Sequence, residues 1–265
     1  MVEKGVFSNG IPYVRFGEGE KRLLVFSGGP GNTLPSGFMI RVFGQFKLIA
    51  KHYEVYALGR KPELPEGYTT RDMAEDYAAI VKDEFDGEPH DVMGMSYGGL
   101  IAQHFAADHP ELVRRLVIAV SCYKFSDEGN ELDMRYAELL SEGKKKEALR
   151  SLEPIIEGDR VEKAFMKFFM GYIGPLMWSN TDKPSDLLVE GKAEMAHNTK
   201  NRLSEIKAPT LVIAGDKDYY CPVGLLRETT GGIPNAKLVL YEGKGHMATM
   251  GKKFDEDVLA FLNEQ

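Results

Sequence analysis

Short runs of apolar residues alternate with amphipathic stretches along most of this chain, and this alternation strongly limits the fold. The apolar runs are residues 22–26, 53–58, 90–95, 116–120, 209–214 and 238–241. Apolar residues recur at helical spacing in residues 70–85, 97–107 and 254–262. Strands that are apolar on both faces must be covered on both faces. The sequence therefore predicts an α/β fold with a mostly parallel sheet flanked by helices.

Two local signals refine this prediction at the ends of elements. Asn9-Gly10 separates residues 2–8 from residues 12–16, and this dipeptide is typical of a tight hairpin. We therefore expect one antiparallel pair at the start of the sheet. Thr70 is expected to cap the helix that begins near it.

The stretch from Tyr123 to Leu203 breaks the alternation, because it has helical patterns and no convincing strand. Methionine and aromatic residues are concentrated in it, among them Phe169 and the only tryptophan, Trp178. We interpret this stretch as a helical lid inserted between two strands of the sheet. The predicted lid is residues 122–207, and the predicted core is residues 1–121 and 208–265.

Length and charge narrow the class of protein. A chain of 265 residues suits one large α/β domain, or one domain with an insertion. The formal net charge is −7, and the one notable basic run, residues 144–146, is flanked by Glu142 and Glu147. Such a run indicates a solvated helix face rather than a phosphate-binding surface. We therefore expect no nucleic-acid partner.

The cysteine content and the apolar segments bear on location. Cys122 and Cys221 are far apart and form no CxxC pair, so we expect reduced thiols and no metal site. The N-terminus lacks the apolar core of a signal peptide. No apolar stretch reaches the roughly 20 residues that a membrane helix needs. The sequence therefore predicts a cytoplasmic protein with no membrane partner.

A candidate nucleophile, Ser96, lies in the segment GMSYG at residues 94–98, which matches the pattern G-x-S-x-G. A predicted strand precedes the serine and a predicted helix follows it. Such a turn strains the serine backbone and exposes its hydroxyl, and larger residues at the two glycine positions would clash across it. The alternative interpretation is a glycine-rich turn that only serves packing.

A serine hydroxyl needs a general base, and His246 is the candidate. It follows the last predicted strand, at the sheet edge where loops meet. The base in turn needs a carboxylate, and the loop after the preceding strand offers Asp216 and Asp218. The chain order Ser, Asp, His fits a triad on such a sheet. We assign the role to Asp218; Asp216 is nearer the strand and could simply cap the turn.

The segment SGGPG at residues 27–31 follows the first buried strand. A negatively charged reacting oxygen needs two backbone N–H donors, and glycines allow a close approach. Because proline has no N–H, we expect the donors to be the N–H groups of Gly29 and Tyr97. The alternative is a glycine turn without a catalytic role. The phosphate-loop patterns GxxxxGK[ST] and GxGxxG are absent here.

Taken together, these elements resemble the α/β-hydrolase superfamily over nearly the whole chain. Residues 27–31 resemble the HGGPG-type oxyanion loop of that family, and residues 94–98 its nucleophile elbow. Gly215-x-x-Asp218-x-x-x-Pro222 resembles its acid loop, which favours Asp218 over Asp216.

Three features depart from the pattern of that family. Ser27 stands where the family usually has histidine, and Met95 at a position that is often polar. The family's Asp-x-x-Gly-x-Gly-x-Ser segment is missing after the fourth strand, where the chain reads LGRKP at residues 58–62.

The resemblance implies a serine hydrolase with no cofactor and no metal ion. We expect it to cleave a carboxylic ester with a small or medium apolar acyl group, through an acyl-enzyme on Ser96. Phe169 and Trp178 of the lid are expected to line the acyl pocket. The expected partner is a small-molecule substrate, and the sequence carries no indication of the oligomeric state.

Other activities of the same fold stay open. A proline-iminopeptidase-like aminopeptidase is the main alternative, because SGGPG and SYGG resemble that group and acids in the lid could bind an amino terminus. Most of those acids are expected to lie on a solvated helix face. A thioesterase, an acyltransferase and a binding protein with an unused triad are further alternatives. A haloalkane dehalogenase is disfavoured because its nucleophile would be aspartate.

Overall fold

The computed structural model describes residues 2–29, 31, 34, 46–155 and 183–264. Within these residues one eight-stranded sheet is formed by β1 (Glu3–Val6), β2 (Pro12–Phe16), β3 (Lys21–Phe26), β4 (Tyr53–Leu58), β5 (His90–Met95), β6 (Val113–Ala119), β7 (Thr210–Gly215) and β8 (Ala236–Tyr241). The pairs β1–β2 and β2–β4 are antiparallel, and all other pairs are parallel. The predicted mostly parallel sheet is therefore confirmed, with the expected antiparallel hairpin at its start.

The spatial order of the strands is β1-β2-β4-β3-β5-β6-β7-β8. From β3 the chain first runs to β4 on one side and then crosses to β5 on the other side. The chain therefore leaves β3 and β5 towards opposite sides of the sheet, which makes the carboxyl ends of these two strands a topological switch point. In open α/β sheets this switch point is where ligands bind.

Helices cover the sheet on both faces. Those that the structure describes are α1 (Thr70–Glu84), α2 (Tyr97–Asp108), α3 (Asp127–Ser141), α4 (Lys145–Ser151), α5 (Pro184–Ala196), α6 (Val223–Gly232) and α7 (Lys252–Leu262). The residues of β3 divide between the two layers. Leu24 and Phe26 pack with α1 and α2, whereas Leu23 and Val25 pack with α7. Burial on both faces explains why this strand is continuously apolar.

The start of α1 differs from the prediction by one residue. Thr69, not Thr70, is the cap: its hydroxyl accepts from the Asp72 N–H at 3.1 Å, and the Asp72 carboxylate accepts from the Thr69 N–H at 2.8 Å. The Thr70 side chain is buried instead, and its hydroxyl bonds Nδ1 of His197 at 2.8 Å. The prediction is wrong because Thr70 points into the interior.

The described parts of the segment between β6 and β7 contain three α-helices, two short 3-10 helices and no strand. Helix α3 packs against both α4 and α5. The predicted pocket residues Phe169 and Trp178 lie outside the described residues. The boundaries of the lid, residues 122–207, stay a prediction.

Cys122 and Cys221 form a disulfide bond, so the expectation of reduced thiols is wrong. The two residues are separated by 99 positions, yet they follow β6 and β7, which are parallel neighbours whose carboxyl ends lie side by side. The bond thus ties the segment after β6 to the loop after β7. Sequence spacing could not reveal this pair, because the contact depends on the order of strands in the sheet.

The packing of α2 on the sheet can be tested with a matched pair of glycines. A Cβ at Gly98 would lie 2.0 Å from the Phe26 carbonyl oxygen, whereas a Cβ at Gly224 would meet nothing within 4 Å. Both glycines are the second residue of their helix. Gly98→Ala is expected to lower the unfolding free energy by about 1–3 kcal/mol, because α2 must move off β3.

The control Gly224→Ala is expected to be neutral or to stabilise by up to about 1 kcal/mol, since alanine favours helices. Urea denaturation of both variants measures the difference. Equal stability of the two variants would contradict the close contact between α2 and β3.

Candidate active site

Ser96 is the single residue that joins β5 to α2. Its backbone has φ 49° and ψ −120°, a conformation that costs a residue with a side chain on the order of 1–3 kcal/mol. The surroundings impose it: a Cβ at Gly94 would lie 2.6 Å from the Ala102 Cβ, and one at Gly98 would overlap β3. The strained turn therefore presents the Ser96 hydroxyl at the carboxyl edge of the sheet, as the sequence pattern predicts.

His246 contacts Ser96 on one side and Asp218 on the other. Its Nε2 lies 2.8 Å from Oγ of Ser96, and its Nδ1 lies 3.0 Å from both carboxylate oxygens of Asp218. With the ring proton on Nδ1, the imidazole donates to Asp218 and accepts from the Ser96 hydroxyl. The structure thus brings together three residues that are distant in the sequence, since 150 positions separate Ser96 from His246.

The two candidate acids occupy different places in the loop after β7. Asp218 is buried, and its Oδ1 also accepts from the N–H groups of Tyr220 at 2.9 Å and Cys221 at 3.1 Å. Asp216 accepts from the Gly243 N–H at 2.7 Å and lies at the turn. Asp218 is therefore the carboxylate next to His246, and Asp216 connects the two loops.

Close approach of the loops after β7 and β8 produces this geometry. A Cβ at Gly215 would lie 1.9 Å from the Lys244 carbonyl oxygen, so only glycine permits the contact. The Lys217 N–H donates to the same carbonyl at 2.8 Å. These contacts bring the segment with Asp218 beside the segment with His246.

The glycine loop after β3 passes beside the serine. A Cβ at Gly28 would lie 3.2 Å from the Cβ of Ser96 and 2.9 Å from the Met95 carbonyl oxygen. Gly29 has φ 75°, which glycine adopts readily. Tyr97 is the first residue of α2, and the first N–H groups of a helix have no partner within it. The two N–H groups expected to bind an oxyanion therefore lie on segments adjacent to Ser96.

A second polar cluster, not predicted from the sequence, lies behind His246. The Tyr220 ring centroid is 4.5 Å from that of His246, and the Tyr220 hydroxyl donates to Oδ1 of Asp133 at 2.6 Å. The Glu194 carboxyl group lies next to Asp133, and both acids are buried. Burial raises the pKa of Asp133 to about 6, and burial followed by the charge of Asp133 raises the pKa of Glu194 well above its usual value.

The acids of α5 are exceptions to the expectation that most acids of the predicted lid lie on a solvated helix face. Asp186, Glu190 and Glu194 are 4%, 1% and 1% exposed. They recur every four residues, beside the buried Leu187 and Gly191, and this spacing was the signal in the sequence. Carboxylates at that spacing share one helix face with the apolar residues and are buried with them.

The described residues contain no group of three or more histidine, cysteine or acidic side chains arranged to hold a metal ion. Across the same part of the chain, no helix is long and apolar enough to span a membrane.

The comparison with protein families gives the class of protein. The model of the alpha/beta hydrolase fold family matches residues 21–253. This chain belongs to that family. The match covers strands β3 to β8, the strained serine turn and the loops that carry Asp218 and His246.

The individual relatives have modest sequence identity to this chain. A 2-hydroxy-6-oxononadienedioate/2-hydroxy-6-oxononatrienedioate hydrolase of Cupriavidus pinatubonensis is 33% identical over 69% of this chain, and the aligned part spans 65% of that relative. A probable acyltransferase of Methanothermobacter thermautotrophicus is 25% identical over 98% of this chain and 87% of its own. An alpha/beta hydrolase enzyme from a Medee basin deep-sea metagenome shares the fold, with a TM-score of 0.82, 20% identity and coverage of 99% and 98% of the two chains. The family and the relative with a hydrolase name support an enzyme.

The buried acids predict how stability depends on pH. The pKa of Asp133 is raised on folding, so the folded state binds its proton more tightly than the unfolded state, and the unfolding free energy falls as the pH rises from about 4 to about 6. Asp133→Asn removes the titrating group and therefore its contribution to the fall in unfolding free energy, and the amide keeps an oxygen that accepts from the Tyr220 hydroxyl. The variant is therefore expected to gain stability relative to the parent at about pH 8 and to gain less at about pH 4.

Urea denaturation at the two pH values measures both differences. Glu131→Gln is the control, because Glu131 lies on the same helix and is exposed. An Asp133→Asn gain that does not change with pH would contradict the raised pKa of this carboxyl group.

Proposed function

We propose that this chain is a serine hydrolase that cleaves a carboxylic ester with a small or medium apolar acyl group. The observation that carries the proposal is the chain of hydrogen bonds from Ser96 through His246 to Asp218. In this arrangement a histidine can take the serine proton while a buried carboxylate stabilises the imidazolium. Membership of the alpha/beta hydrolase fold family supports the same assignment.

The mechanism follows from the geometry. Oγ of Ser96 attacks the ester carbonyl while Nε2 of His246 accepts its proton. The N–H groups of Gly29 and Tyr97 stabilise the negative oxygen of the tetrahedral intermediate. The C–O bond to the alcohol breaks, and the alcohol leaves with the proton from His246. Water then attacks the acyl-enzyme with the same base, which releases the acid and restores Ser96.

The domain division and the setting of the enzyme are part of the proposal. Residues 1–121 and 208–265 form the catalytic core, and residues 122–207 form a lid. The prediction that Phe169 and Trp178 line the acyl pocket concerns residues outside the described part of the chain and stays a prediction. The substrate is a small molecule. The cytoplasmic location stays a prediction, and the Cys122–Cys221 disulfide removes reduced thiols as one of its grounds.

An aminopeptidase is the second candidate, and one observation favours it. Among the described residues, neither carboxylate oxygen of Glu194 has a hydrogen-bond donor. The Asp133 carboxyl group next to it can donate only when it is protonated. A substrate ammonium group bound beside these two acids would supply the missing donors and would lower their raised pKa values, because an opposite charge favours the ionised carboxylates. The acyltransferase relative keeps transfer to an acceptor other than water as a third possibility.

A substrate screen separates these candidates. Hydrolysis of p-nitrophenyl esters of varied acyl length without cleavage of aminoacyl-p-nitroanilides is the result expected for the proposed esterase. Preferential cleavage of the anilides would favour the aminopeptidase. Faster ester turnover on addition of an alcohol or amine acceptor, with an acylated acceptor as product, would favour the acyltransferase.

Replacement of the nucleophile tests the mechanism. Ser96→Ala is expected to lower kcat by at least about 10⁴-fold with the fold intact, because no acyl-enzyme can form. The parent enzyme should be labelled by a fluorophosphonate probe at Ser96, and the variant should not be labelled. A parent chain that is folded, inactive towards all of these substrates and unlabelled would instead indicate a binding protein with an unused triad.

The loop after β7 offers a matched test of the acid. Asp218→Asn is expected to lower kcat by about 10⁴-fold, since the amide disturbs the tautomer of His246. Asp216→Asn makes the same chemical change two residues away, where the carboxylate contacts the Gly243 N–H instead. Its effect on kcat should be far smaller. The opposite ranking would transfer the role to Asp216.

A further inference from the structure

Arg60 is one of the largest side chains that the protein buries, with 1% of its surface exposed. It follows β4, in the segment that departs from the family pattern. Its guanidinium group donates to three backbone carbonyls of the glycine loop after β3. These bonds go to Ser27 at 2.9 Å, to Gly29 at 3.2 Å and to Gly31.

Glu190 completes the same arrangement from α5. One carboxylate oxygen accepts from Nε of Arg60 at 2.8 Å, and the other accepts from the Gly31 N–H at 2.6 Å. The backbone carbonyl of Glu190 also accepts from the Tyr97 hydroxyl at 3.0 Å. One buried residue of α5 therefore contacts Arg60, the glycine loop and the first residue of α2.

These bonds restrain the peptide that carries the Gly29 N–H. Peptide groups are planar, so a bonded carbonyl fixes the plane of its own group and with it the Cα atoms at both of its ends. The peptide between Gly28 and Gly29 lies between two groups whose carbonyls both accept from Arg60. Glycine adopts many backbone conformations, so a loop of this composition has little stiffness of its own. The planar guanidinium, with several donors in fixed directions, supplies that stiffness.

We propose that Arg60 and Glu190 are positioning residues that direct the Gly29 N–H towards the reacting oxygen, so that α5 takes part in forming the oxyanion hole. This inference rests on the proposed function. Both side chains act through the glycine loop and not by contact with the substrate. Because the N–H group acts on charge that develops in the transition state, loss of its direction lowers kcat and leaves KM nearly unchanged.

The first variant is Glu190→Gln, which keeps the shape of the side chain and removes its charge. The second is Arg60→Lys, which keeps the charge and loses the planar set of donors. The matched control is Asp186→Asn. Asp186 lies on the same helix, is buried, and accepts from the N–H groups of Glu63 and Leu64 at 2.9 and 3.0 Å, away from the glycine loop.

We expect Glu190→Gln and Arg60→Lys to lower kcat for a p-nitrophenyl ester by about 10- to 10²-fold, somewhat less than removal of an oxyanion donor, with KM within about twofold of the parent. Asp186→Asn should keep kcat within about twofold. Urea denaturation establishes that each variant folds. If Arg60→Lys does not fold, Glu190→Gln alone carries the test.

A second measurement separates positioning from general loosening of the fold. An alkyl boronic acid forms a tetrahedral, negatively charged adduct on serine, so its affinity should fall in parallel with kcat. The affinity for a neutral amide analogue of the substrate should stay unchanged. A folded Glu190→Gln variant with parental kcat and boronate affinity would overturn the inference. Losses of kcat and boronate affinity in Glu190→Gln that only equal those in Asp186→Asn would overturn it as well.

The inference and the proposed function fail in different ways. An enzyme that depends on Ser96 and is indifferent to Glu190→Gln overturns only the role of Arg60 and Glu190. A parent chain whose ester turnover survives Ser96→Ala overturns the proposed function and, with it, this inference.

Discussion

The close contact between α2 and the sheet is the constraint on which the site depends. Gly98 leaves room for no side chain against the Phe26 carbonyl, so α2 starts directly over the end of β3. The same contact holds Ser96 in its strained turn. It also brings Gly28 beside Ser96, because the glycine loop is the continuation of β3. A single packing contact therefore sets the distance between the serine hydroxyl and the loop that we propose binds the oxyanion.

Buried carboxylates on α5 determine how this helix packs against the core. A charge inside a protein is costly unless it is paired or hydrogen-bonded, so each such group restricts the docking of its helix. Asp186 accepts two backbone N–H groups, and Glu190 pairs with Arg60. Sliding α5 along its axis would break both sets of bonds. These contacts hold one helix of the proposed lid in a defined register against the loops around Ser96.

Much of the fold could be predicted because most strands and helices are specified by residues that are close together in the sequence. A strand buried on both faces is a continuous apolar run, and the predicted limits of β4 and β5 agree with the structure. Asp218 and His246 follow strands in the positions expected for them, and the structure brings both to Ser96. The buried acids of α5 were misjudged, because charged side chains on a helix usually face solvent. Their burial depends on partners from distant segments: Arg60 pairs with Glu190, and backbone N–H groups of the segment after β4 donate to Asp186.

The sequence by itself determined the order of strands and helices along the chain, the strained serine turn and the loops that carry Asp218 and His246. These features depend on neighbouring residues and on hydrophobic periodicity. The tertiary structure alone decided which distant residues meet. The Cys122–Cys221 disulfide depends on β6 and β7 being neighbours. The pair of Arg60 and Glu190 joins residues 130 positions apart. No local pattern encodes such contacts, because they arise only when the order of strands in the sheet and the docking of helices bring two groups together in the interior. There each group needs the other as a partner, because an unpaired polar group is costly to bury.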